Sequence, residues 1–175
     1  MSFFMHLYAA WVLLGPGSGT DTSWSITLVG PNEPGQALIV SGTFYQGDGK
    51  TPAPGVRLYV YHTDASGRYN DGKGGTREPR IRGWLTTDAR GRYHIRTIKP
   101  GSYPGSRNPA HIHAKATAPD GKEEWIDEFL FDDDPFIGEK DRANANGKGE
   151  FSHIMKGALD PDGTLHCVRN IILHD

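Results

Sequence analysis

From Trp24 onward, short runs of β-branched and aromatic residues alternate with clusters of Gly, Pro, Asp and Asn. The runs are WSITLVG, ALIVSGTFY, VRLYVYHT, IRGWLTT, RYHIRTI, AHIHAKAT, EWIDEFLF, EFSHIM and TLHCVRNIIL, each with the length and composition of a strand. Several alternate with a period of two: Leu58, Val60 and His62 fall on one face, Arg57, Tyr59 and Tyr61 on the other. Between them lie QGDGKTPAPG, DASGRYNDGKGG, TDARGR and APDGKE, rich in turn-forming residues and too short to hold crossover helices. The pattern predicts an all-β chain, an antiparallel β-sandwich or closed barrel with long loops and little helix. Only residues 138–149, GEKDRANANGKG, have the composition of a short helical turn. No repeat or boundary interrupts residues 23–175, which are predicted to form a single domain.

Composition narrows this picture. Hydrophobic residues at 36% and charged residues at 23% suit a globular chain, and 23 glycines with 12 prolines argue against a helical bundle. A formal charge of −2 creates no field that would draw in nucleic acid. Cys167 is the only cysteine, which excludes an intrachain disulfide and any cysteine-ligated cluster; its thiol is predicted to lie in the core. Residues 1–22 are read in two ways. Phe3 to Leu14 is mostly apolar and is followed by GPGSGT, as in an export signal or an apolar arm that packs on this domain or on a second subunit of a homo-oligomer. No Lys or Arg precedes Lys50, and the run falls short of the roughly 20 residues that span a bilayer, so no membrane span is expected. The expected location is cytoplasmic, with an atypical export signal as the alternative.

Candidate chemistry is concentrated in residues 103–113, YPGSRNPAHIH. His111 and His113 stand two apart in a predicted strand, so both rings leave the same face and can converge on one atom. Alone, the pair fits ordinary strand histidines or ligands for zinc, copper or iron. Tyr103, in KPGSYPGS, and Tyr69, in DASGRYNDG, sit in loops that can aim a phenol inward. Singly, each fits a half-buried aromatic whose hydroxyl meets a carbonyl. A highly charged hard cation accepts phenolate, and ferric iron fits best.

The ordered stretches DGKTPAPGVRLYVYHTDASGRY, RIRGWLTTDARGRYHIRTIKPGSYPG, PAHIH and DEFLFDDDP resemble the catalytic domain of the intradiol ring-cleavage dioxygenases. These non-haem ferric enzymes include catechol 1,2-dioxygenase and protocatechuate 3,4-dioxygenase. The resemblance covers residues 36–135 and implies a transthyretin-like β-sandwich, without the N-terminal helical region of the catechol 1,2-dioxygenases. It also implies that Tyr69, Tyr103, His111 and His113 hold one Fe(III), with a hydroxide completing the shell. A catechol would bind through both oxygens, displacing hydroxide and Tyr103, and the released phenolate would help accept the diol protons. Dioxygen would then open the ring to a cis,cis-muconate-type dicarboxylic acid.

Two positions depart from the family. Asn108 stands where the family has an arginine, thought to stabilise charge developing on the ring; Arg107, one place earlier, is the expected substitute. Glu128 stands where the family has a glutamine; it could repel an anionic substrate or pair with Arg107. A transthyretin-like binding domain that has lost turnover is therefore the main alternative, and a hydrolytic zinc enzyme a third that leaves the tyrosines unexplained. Asp132 to Asp134 are read as a solvated loop rather than a calcium site. His62, His94, His153, His166 and His174 are read as surface or strand histidines. Lys73, Arg77, Arg80 and Arg82 could steer an anionic substrate but read as a solvated loop. Tyr45, Gln46, Gly72 and Trp84 are candidate pocket walls.

Overall fold

The computed structural model describes residues 23–70 and 78–174. Residues 1–22, with the arm or targeting segment expected there, lie outside the described residues, as do Gly72, Lys73 and Arg77.

Two sheets face each other as a sandwich. The first runs in the order β1 (Ser25–Thr27), β5 (Arg92–Ile98), β2 (Ala37–Tyr45), β10 (Leu165–Val168) and β9 (Gly157–Leu159), with β11 (Ile171–Ile172) also on β2. The second runs β4 (Ile81–Thr86), β3 (Arg57–His62), β6 (His111–Thr117), β7 (Glu123–Phe131) and β8 (Ile154–Met155). The period-two alternation decides which side chains meet between them. Val40, Phe44, Tyr93 and Ile95 face inward from the first sheet, and Leu58, Val60, Ile112, Ala114 and Phe129 from the second. Cys167 is buried in this core, as expected, and burial pushes its thiol up to about 11. The outer face of the second sheet carries Tyr59, Tyr61, His113, Lys115 and Trp125 across β3, β6 and β7.

The sandwich is mixed rather than wholly antiparallel. Its central pairs, β2 with β5 and β4–β3–β6–β7, are antiparallel; β1 on β5, β10 and β11 on β2, and β8 on β7 are parallel. The long connection from β7 to β8, which holds α1 (Glu139–Ala143), has the length a parallel return requires. Residues 138–149 thus contain the expected helical turn, but the run EFSHIM splits: Gly149–Phe151 is a 3-10 turn and only Ile154 and Met155 pair. β9 was not signalled by the sequence pattern.

TLHCVRNIIL also divides, into β10 and β11, and Gly42 is the reason. The Arg169 carbonyl enters the space a Cβ at Gly42 would fill, where it accepts from Tyr93 Oη at 2.7 Å instead of joining the ladder. Pairing to β2 resumes at Ile171 opposite Phe44. The Arg169 side chain reaches across to the second sheet, donating to the Asp127 carbonyl at 2.6 Å with its guanidinium 4.1 Å from the Phe129 ring.

Candidate metal centre

Two loops and one strand build the site. Asp64 closes the first loop by accepting from the Ser66 and Arg68 amides at 2.9 and 3.1 Å, an Asx turn that ends at Tyr69. The Asp64 carbonyl accepts from the Gly101 amide at 2.9 Å, and Thr63 Oγ1 donates to the Gly101 carbonyl at 2.8 Å, which ties this loop to the one carrying Tyr103. Gly67, with φ of +78°, lies against the Ser102 carbonyl in space no side chain could share. His111 and His113 leave the outer face of β6 beneath the two loops.

All four predicted side chains converge. Tyr69 Oη lies 2.9 Å from His113 Nε2, Tyr103 Oη lies 3.0 Å from His111 Nε2 and 3.4 Å from His113 Nε2, and the two Nε2 atoms are 3.1 Å apart. The two phenol oxygens are in direct contact. Metal–ligand bonds of about 2.0–2.1 Å put adjacent donor atoms about 2.9–3.4 Å apart between octahedral and tetrahedral geometry, which is the spacing of the four contacts made by the imidazole nitrogens, while the two phenol oxygens stand closer.

The proton arrangement also suits a cation. His111 Nδ1 donates to the Pro109 carbonyl at 2.7 Å, so its Nε2 lone pair points into the cluster. His113 Nδ1 faces Glu128 Oε1 at 3.3 Å, which orients that ring the same way. Burial, then the neighbouring His111, holds His113 below the usual imidazole range, while Glu128 opposes them. Burial, then the hydrogen bond with Tyr103, raises the Tyr69 phenol above its ordinary value, so a strong Lewis acid is needed to draw off its proton. Two imidazole lone pairs and two touching phenol oxygens share only two hydroxyl protons; a cation relieves that crowding. The residues fit a ferric ion.

Asp134 anchors the entry to β6. It is buried, and its carboxylate accepts from the Ala110 amide at 2.9 Å and the Phe136 amide at 2.8 Å. Asp132 pairs with Arg142 and Asp133, which is solvent-exposed as expected, with Lys99, so the acidic run departs from a wholly solvated loop at the buried Asp134.

Glu128 meets the histidines and not Arg107, being 3.9 Å from His111 Nε2 as well as beside His113. These three form a metal-capable trio whose ligand atoms lie within 4.8 Å of one another. Arg107 is exposed, with its guanidinium 5.7 Å from the Phe136 ring, and makes no hydrogen bond or ion pair with the cluster among the described residues. Arg80 pairs with Glu33 at 2.7 Å and Arg82 with Glu78 at 2.6 Å. Tyr45 packs on Phe151, and Gln46 belongs to the turn closed by Thr51; neither is at the cluster. Trp84 connects to it through a row of rings: Trp84 to Tyr59 at 4.5 Å, Tyr59 to Tyr61 at 5.6 Å, and Tyr61 stacked on His113 at 4.6 Å.

Of the other histidines, His94 is hydrogen-bonded to Ser25, His166 pairs with Asp160 and His174 with Glu124. His62 is a strand histidine, the last residue of β3, and not a surface one: it is fully buried, and its place in the Leu58–Val60–His62 alternation was the signal for that. His153 lines an open cleft beside the cluster, next to Trp125, which no motif marks.

The family model described as Dioxygenase matches residues 17–156. The chain belongs to the intradiol dioxygenase family. It is 30% identical over 126 residues to catechol 1,2-dioxygenase of Acinetobacter baylyi, a match covering 61% of this chain and 40% of that enzyme. It is also 30% identical over 113 residues to the protocatechuate 3,4-dioxygenase beta chain of Burkholderia cepacia, covering 59% of this chain and 48% of that one. The chain thus spans under half the length of these relatives. Among solved structures of the family, the dioxygenase domain of a dioxygenase–carbohydrate-binding protein fusion from Streptomyces sp. SirexAA-E superposes with a TM-score of 0.65 at 27% identity, over 91% of this chain and 93% of that one. Catechol 1,2-dioxygenase of Pseudomonas arvilla C-1 gives a TM-score of 0.69 at 19% identity, over 89% and 58%, a likeness of fold.

Proposed function

We propose that the chain is a non-haem Fe(III) intradiol dioxygenase that cleaves catechols with O2 to cis,cis-muconate-type dicarboxylic acids. The observation that carries this assignment is the convergence of Tyr69, Tyr103, His111 and His113 donor atoms within 3.4 Å of their neighbours. These four residues would hold the iron, which, when bound, supplies a Lewis acid that activates the diol. The chain's own groups supply the rest. Pro109 and Glu128 orient His111 and His113 with their Nε2 atoms toward the cluster. Tyr69 and Tyr103 bring two negative charges as phenolates, which favours a ferric over a ferrous ion. Tyr103, on the loop between Gly101 and Ser106, would be the phenolate that takes one diol proton as the catechol enters. Both atoms of O2 enter the product, so no external reductant is required.

We assign Arg107 to the charge that develops on the ring. Its hold on Phe136 is an exposed cation–π contact of the kind worth about 0.5–1 kcal/mol, and the loop can exchange it for a bound anion. The position of Arg107 over Phe136 is also what favours a second reading, a binding domain of this fold without turnover.

Oxygen uptake by the iron-loaded protein with catechol separates the two. The proposal predicts one O2 consumed per catechol and a ring-opened dicarboxylic acid. Catechol bound with no oxygen consumed would favour the binding domain.

A further inference from the structure

The catechol oxygens would lie at the Tyr–His cluster, but what the ring may carry depends on the cleft next to it. This cleft, about 400 Å³, opens from His113 along β7 to β8 and is walled by Trp125, Asp127, Glu128, Leu130 and His153. Its charge has one sign. The Glu128 carboxylate is half exposed and sits beside both histidines. Asp127 is exposed, with one carboxylate oxygen accepting from Asn146 Nδ2 at 2.7 Å. No lysine or arginine lines the cleft among the described residues. Lys115, next along the face of β6, is paired with Glu123 at 2.6 Å, and Arg107 lies with Phe136 outside the lining. His153 Nδ1 lies 2.9 Å from the Asn146 amide nitrogen. Trp125, 65% exposed, offers a ring face to a cation.

We infer that this site selects catechols bearing a cationic, ammonium-type side chain and rejects those bearing a carboxylate, with Glu128 as the specificity-determining residue and Trp125 as the supporting wall. The inference rests on the catechol-binding role proposed above. A carboxylate substituent would enter beside Glu128 and Asp127 with no lysine or arginine among the described lining residues to meet it, whereas an ammonium group meets two carboxylates and an aromatic face. Glu128 also explains why the discrimination belongs to this chain: a glutamine there would leave the His113 contact polar but uncharged.

The test uses the iron-loaded full chain and three probes: catechol (neutral), dopamine (cationic) and protocatechuate (anionic). Dissociation constants are measured anaerobically, and kcat/KM in air. The expected result is binding of dopamine at least tenfold tighter than protocatechuate, about 1.4 kcal/mol, with catechol between them. Glu128→Gln should reduce the dopamine-to-protocatechuate ratio about tenfold, and added salt should shrink it in the wild type, as screening of a partly exposed charge requires. Trp125→Ala should weaken dopamine more than catechol. Catechol bound and cleaved with no preference between the charged probes, or a ratio unmoved by Glu128→Gln, would overturn the inference and leave the proposed function standing. Failure to bind or cleave even catechol would overturn both.

Discussion

Lowering the pH should destabilise the fold through His62. This imidazole is completely buried at the end of β3, just before the loop that leads to Tyr69. Its Nδ1–H donates to the Thr63 carbonyl at 2.7 Å, and its bare Nε2 accepts from Thr97 Oγ1 at 2.7 Å, so the neutral tautomer is fully satisfied and the cation is not. Burial lowers its pKa from the ordinary 6.5 to about 4. Between these values the unfolded chain binds a proton that the folded chain refuses, so stability falls as pH drops through 6.5 and the loss levels off below 4. A gap of this size corresponds to about 3 kcal/mol, a large part of the usual stability of a domain. Urea unfolding of the wild type and of His62→Gln, followed from neutral pH to pH 4, isolates it, because carboxylate titrations common to both proteins cancel. The stability advantage of the wild type over the variant should shrink by about 3 kcal/mol over that range. An advantage that stays constant with pH would refute the burial argument.

Gly67→Ala should push a Cβ into the Ser102 carbonyl and part the two tyrosine loops, costing about 1–3 kcal/mol and lowering iron affinity measured against a chelator; unchanged affinity would remove Gly67 from the site's support. Asp134→Ala strands the buried Ala110 amide and the Phe136 amide, and should cost about 1–3 kcal/mol for each donor left unpaired; a thermal melt matching the wild type would contradict this. Arg107→Ala should slow catechol turnover by about 100-fold or more if its guanidinium meets the ring, and an unaltered kcat would exclude it from the chemistry.

Most of the sandwich was legible because each strand carries its own instruction. The alternation in RLYVYH or HIHAKAT fixes an inner and an outer face whatever the partner strand is. What was not legible depends on contacts between distant segments. The break between β10 and β11 requires Gly42 and Arg169 to meet, and neither local pattern mentions the other. The parallel pairings likewise depend on where long loops return. The four cluster residues were readable because the motifs around them are local: PGSYPG and ASGRY build loops, and PAHIH builds a strand with both rings on one face. Glu128 was noticed as a charge out of place but not as the partner of His113, because a register shift of β7 between Ile112 and Ala114 is what brings it there. Trp125 and His153 had no motif at all; only the pairing of β6, β7 and β8 sets them beside the cluster.

The central claim is that two phenolates and two imidazoles bind one ferric ion, and visible absorption of the iron-loaded chain tests it most directly. Phenolate-to-Fe(III) charge transfer should colour the protein red to purple, and catechol should shift the band as it enters. A colourless protein at full iron occupancy would contradict the assignment of Tyr69 and Tyr103 as ligands.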